Sequence, residues 1–136
     1  MEKESVAFIK LNDWMTPIPV LEHGTHNGYV AVPPTNKYYG KHYDEVDIEV
    51  HGGLTYSEPV INGEYRFSSK IKINPLYVGV KNSVLDDFEF ISENTEIGED
   101  WWIFGFDTFH CNDNPTDCDK KYVINETLHL QEQLER

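Results

Sequence analysis

Two periods of apolar residues run through this chain, and they predict different elements. From Val46 to His51 apolar and polar residues alternate, the period of a half-buried strand. Val46, Ile48 and Val50 share one face, and Asp47, Glu49 and His51 share the other. Gly52-Gly53 then marks a tight turn or bulge before Leu54-Thr55-Tyr56-Ser57. Trp101-Trp102-Ile103-Phe104-Gly105-Phe106 is the most apolar run, and it predicts a strand buried on both faces. It empties into the polar loop Asp107 to Asp113. Tyr29 to Val32 is a short strand closed by Pro33-Pro34. Val6, Phe8 and Ile9 suit a strand or a helical turn, and His23 to Gly28 predicts an exposed loop. Tyr65 to Phe67, Lys70 to Ile73 and Val84 to Ile91 are further strand material.

From Lys120 to Arg136 the period changes. Val123, Thr127, Leu128, Leu130 and Leu134 fall near helical spacing, with Glu126, Glu132 and Glu135 on the other side. Thr116, Asp117 or Asp119 is the N-cap. These elements predict one α+β domain over residues 1–136. A mostly antiparallel twisted sheet carries the amphipathic C-terminal helix on one face. A small barrel or sandwich with an appended helix is the alternative.

Charge narrows the partners. Acidic residues outnumber basic ones by 24 to 11, a formal net charge of −13. Such a field repels nucleic acid and anionic membrane, and it suits a basic protein. It also suits imitation of the charge of DNA, or plain solubility. The start, Met1 to Ser5, lacks the apolar core of a signal peptide, and no apolar stretch reaches the ~20 residues that span a bilayer. Residence in the cytoplasm is therefore expected, with Cys111 and Cys118 as thiols and no disulfide between them.

The residue types that carry chemistry gather in two places. Asp107-x-x-His110, with Cys111 and Asp113 beside it, offers a carboxylate and an imidazole at the end of the tryptophan strand. His51-Gly52-Gly53, followed by Thr55 and Tyr56, offers a second imidazole beside a permissive backbone. If the strand at 46–51 pairs beside the strand at 101–107, then His51, Asp107 and His110 meet. Two histidines and a carboxylate suit a divalent metal such as zinc or iron with open positions. The same three residues suit base catalysis, and the glycine amides suit an anion. The bland readings are a carboxylate that caps a turn and hydrogen-bonded histidines. Tyr39 and Tyr43, in a tyrosine-rich loop, are either a ligand wall or a lid over the core. The six-residue gap between Cys111 and Cys118 departs from ordinary zinc knuckles. No G-x-S-x-G elbow, phosphate-binding loop, dinucleotide fingerprint or H-E-x-x-H occurs.

Four motifs in order carry a resemblance. They are Gly28-Tyr29-Val30-Ala31-Val32-Pro33, Tyr39-Gly40-Lys41-x-Tyr43-Asp44, Val50-His51-Gly52-Gly53-Leu54-Thr55-Tyr56, and Trp101-Trp102-x-x-Gly105-Phe106-Asp107-x-x-His110-x-x-Asp113. Over roughly residues 28 to 135 the chain resembles a family of small proteins encoded by bacteriophages and prophages. The resemblance implies a phage accessory protein and carries over His51, Asp107, His110 and Asp113. The chain departs from the family pattern at Thr108, Phe109, Cys111 and Asn112, where small residues are usual.

Two functions of different class follow. In the first, His51, Gly52, Gly53, Thr55, Asp107 and His110, walled by Tyr39, Tyr43 and Tyr56, bind a small polar, nucleotide-like ligand. A divalent metal and hydrolysis are compatible with that set. In the second, an acidic surface inhibits a basic host defence or nucleic-acid-handling protein without catalysis. A contiguous acidic face away from His51 favours the second. Acids scattered around a site lined by the histidines favour the first.

Overall fold

The computed structural model describes residues 5–11, 26–60, 88–94, 97, 98, 100–108 and 117–136. The expected strand material at 65–67 and 70–73, and the ends of the chemistry-bearing loop at His110, Cys111 and Asp113, lie outside these residues. The described strands are β1 (Val6–Leu11), β2 (His26–Val32), β3 (Tyr56–Pro59), β4 (Phe88–Phe90) and β5 (Trp102–Phe106). They form one sheet in the order β3-β5-β2-β1-β4, and every neighbouring pair is antiparallel. The helix α1 (Lys120–Leu134) packs on one face, so the α+β architecture is as the pattern implies.

The tryptophan strand β5 is an interior strand, between β3 and β2, and is buried on both sides. Phe104 and Phe106 meet Val30, Val32, Val123, Leu130 and Leu134 on the helix face. Ile103 joins Val6, Phe8, Tyr29 and Ala31 on the opposite face. There Tyr29 lies stacked on Phe8 with centroids 5.5 Å apart, and it meets Tyr56 edge-on at 5.7 Å. Each such aromatic pair adds roughly 0.5–1.5 kcal/mol beyond its buried area.

Two sequence expectations are corrected. Residues 26–28 belong to β2 rather than to an exposed loop. Gly28 pairs with Phe106 across the sheet, and a Cβ there would collide with Thr127 of the helix and the Phe106 ring. The glycine that signals a turn in sequence instead lets helix and sheet approach closely. The segment 46–51 is not a strand of the sheet. Its alternation holds, since Val46 is buried, Ile48 and Val50 pack toward the helix-side core, and Asp47 and Glu49 are exposed. Its backbone, however, is satisfied by the helix, and β3 takes the place beside β5.

Asp119 is the N-cap of α1, its side chain accepting from Tyr122 N–H at 2.9 Å. Of the helix positions expected to be apolar and inward, Leu128 is exposed. Gln131 and Gln133 are buried in its stead, because both side chains have backbone to satisfy. No helix among the described residues is long and apolar enough to cross a membrane.

Candidate functional site

The segment 46–51 runs beside α1 from the helix C-terminus toward its N-terminus. Gln133 holds it like a short piece of sheet. Glu49 N–H donates to Gln133 Oε1 at 3.0 Å, and Gln133 Nε2 donates to Glu49 O at 2.7 Å. A carboxamide presents the same donor and acceptor as a peptide unit, so one side chain replaces a strand neighbour. Two helical turns earlier, Glu126 Oε1 accepts from His51 N–H at 2.8 Å. The chain then reverses over Val50 to Gly53, with Gly53 N–H donating to Val50 O at 2.8 Å. Gly52 and Gly53 have φ of 66° and 81°, a backbone closed to most side chains, which explains the paired glycines. Thr55 N–H donates to Gly105 O at 2.9 Å and starts the pairing with β5.

This turn places the His51 ring against the start of α1. Nδ1 lies 2.8 Å from Tyr122 Oη, and Nε2 lies 3.9 Å from Cys118 Sγ. The Cys118 thiol is buried. Tyr122, Glu126 and Gln133 thus form one edge of the helix, turned to the 46–51 segment, and Cys118 joins them from just ahead of the helix. Tyr122 and Glu126 stand at the helical i, i+4 spacing, a signal present in the sequence beside the apolar stripe.

Asp107 is half-buried. It follows Phe106 at the end of β5, and its charge acts on Tyr29, in the core opposite the helix. Burial pushes the Tyr29 phenol well above its ordinary range; the Asp107 charge adds to this, while a hydrogen bond from Asn27 opposes it. Asn27 Oδ1 also accepts from Thr108 N–H at 3.0 Å, and Thr108 Oγ1 donates to His26 O at 2.9 Å. The His26 imidazole is held below its ordinary pKa by burial and by Lys120, against a smaller opposing pull from Glu89. The expected pairing of 46–51 beside β5 does not form; β3 stands there instead. His51 contacts the start of α1, and the charge of Asp107 acts on Tyr29. Among the described residues no group of three or more His, Cys, Asp or Glu could hold a metal ion.

The tyrosine-rich loop closes the other end of β5. Tyr39 Oη donates to Asp100 O at 2.6 Å, and its ring lies 6.1 Å from the Trp102 ring. Trp102 Nε1 donates to Lys41 O at 3.1 Å. Tyr38 packs toward the helix-side core. Tyr43 is exposed, lies against the His42 ring at 4.1 Å, and its N–H donates to Ser57 Oγ. Tyr39 is thus pinned where β5 begins, whereas His51 is held at the start of α1; Tyr56 packs on Tyr29 in the core opposite the helix.

Four acids stand out at the surface. Asp44, Glu45, Asp47 and Glu49 are all exposed within six residues, while Val46 and Ile48 turn inward and anchor them. Asp44 and Glu45 lie in a short 3-10 turn (Tyr43–Glu45) capped by His42, whose Nδ1 is 2.7 Å from Asp44 Oδ1. Asp47 and Glu49 project from an extended backbone, which spaces them about 6–7 Å apart. Comparison with family models, curated proteins and solved structures yields no match to this chain.

Proposed function

We propose that this chain is a non-enzymatic binding protein whose acidic ribbon, Asp44 to Glu49, engages a basic surface on another protein. The observation that carries the reading is the arrangement of that ribbon. Four carboxylates face solvent from a segment whose apolar residues and backbone are tied to the helix by Val46, Ile48 and Gln133. Carboxylates held in place on a tethered segment present a basic partner with a fixed cluster of negative charge, and less ordering is needed on binding. The net charge of −13 adds long-range attraction for the same partner. In the phage setting that the sequence resemblance implies, the partner is a host defence or nucleic-acid-handling protein met in the host cytoplasm, and binding blocks its groove.

The test is affinity capture from a bacterial host lysate with the wild-type chain and with the variant Asp44→Asn, Glu45→Gln, Asp47→Asn, Glu49→Gln. The expected result is a basic, nucleic-acid-binding protein held by the wild type, released by salt, and absent with the variant. Capture that resists high salt, or that survives the four substitutions, overturns the reading.

A second reading is favoured by the turn after His51. Gly52 is exposed, and a Cβ at Gly53 would meet nothing within 4 Å, so the backbone there is open to approach. A small polar ligand, with or without a divalent metal, would bind at this turn with His51, and His110 would contribute from outside the described residues. Elemental analysis and ligand binding with His51→Ala and His110→Ala decide it: joint loss supports the pocket, and unchanged binding removes it.

A further inference from the structure

A nucleophile, a base and an orienting hydroxyl stand in line at the start of α1. Cys118 Sγ is 3.9 Å from His51 Nε2, and His51 Nδ1 is 2.8 Å from Tyr122 Oη. The Tyr122 ring also meets the imidazole edge-on, with centroids 5.4 Å apart. Glu126 holds the His51 backbone from a third direction. The imidazole is therefore aimed by contacts on its ring and on its main chain. When Nδ1–H donates to the phenol oxygen, Nε2 keeps its lone pair toward the thiol and can take its proton. A neighbouring imidazolium stabilises a thiolate and lowers the pKa of a cysteine. Cys118 also lies just ahead of Asp119, the N-cap of a 15-residue helix whose N-terminal end favours negative charge.

Access decides the reagent. Cys118 is 4% exposed, so bulky disulfides and peptides are excluded and a small electrophile is not. We propose that Cys118 is a peroxide-reactive thiol, with His51 as its proton partner and Tyr122 as the positioning residue. The thiolate sulfur attacks one peroxide oxygen; the S–O bond forms as the O–O bond breaks. The leaving hydroxide takes the proton that His51 holds and departs as water. Cysteine is oxidised to sulfenic acid, the peroxide is reduced, and the imidazole returns to its neutral form. A buried structural thiol would be protected by the fold, whereas this arrangement makes folding increase reactivity.

The test uses the Cys111→Ser chain, in which Cys118 is the sole cysteine. Hydrogen peroxide is added at neutral pH, and sulfenic acid is trapped by a carbon nucleophile and counted by mass spectrometry. The folded chain is compared with the same chain in urea, which needs no further substitution. Folded Cys118 should react at least about a hundredfold faster than unfolded, the low end of what a positioned proton partner supplies. His51→Gln should remove that advantage, and Tyr122→Phe should reduce it while leaving the thiol in place. Equal or slower reaction in the folded chain overturns the proposal. So does an advantage that persists in a folded His51→Gln chain.

Discussion

Single residues in this protein do work that their types do not advertise. Gly28 looks like part of a turn in sequence, yet it is where the helix crosses the sheet. Gly28→Ala would drive a methyl into Thr127 and Phe106, and overpacking of this kind costs roughly 1–3 kcal/mol. Urea unfolding should show that loss, and an unchanged midpoint would contradict the close approach. Tyr29 makes a pH prediction. Its phenol is raised in the folded state, chiefly by burial, from an unfolded value of 10.0. The folded chain then binds the proton more tightly than the unfolded one. Stability from this group is complete below the unfolded pKa and declines as pH climbs from there toward the raised folded value. Tyr29→Phe should flatten that alkaline decline in unfolding curves, and an identical decline would assign it to other groups.

Elements were legible to the extent that local pattern and tertiary packing agree. β5 is legible because the run Trp101 to Phe106 is short, aromatic and bounded by acidic residues, which favours a buried strand over a helix. The helix is legible from its period, and its cap is Asp119, one of the three candidates the sequence offers. Residues 46–51 show the limit. Alternation says which side chains turn inward, and it is right about Val46, Ile48 and Val50. It cannot say whether the backbone pairs with a strand or with a side chain, and here Gln133 supplies the partner. That choice also joined His51 to Tyr122 and Cys118. Gln133→Ala tests the clasp. It would leave both polar groups of Glu49 without this partner, at a cost of about 1–3 kcal/mol. Amide exchange at Glu49 should accelerate more than at the centre of β2, whereas uniform acceleration would mean that the segment opens only with the whole fold.

At the scale of the molecule, the helix has two flanks. On one, Gln131 and Glu135 hold Ser5 at the start of β1; on the other, Gln133 and Glu126 hold the acidic segment. The second flank brings together the exposed carboxylates and the buried thiol with its half-buried imidazole. Much of the net charge was visible in composition, but its concentration on a tethered ribbon was not, because it depends on which strand-like segment leaves the sheet. The measurement that tests the ribbon most directly holds net charge constant and moves the substitutions. Asp44, Glu45, Asp47 and Glu49 are neutralised in one chain, and the exposed Glu93, Asp100, Asp117 and Glu132 in another. Both are then compared with the wild type in salt-resolved capture of the basic partner. Loss confined to the first chain is the predicted result. Equal weakening in both would contradict it, and would leave the acidity as a property of the whole surface rather than of one binding face.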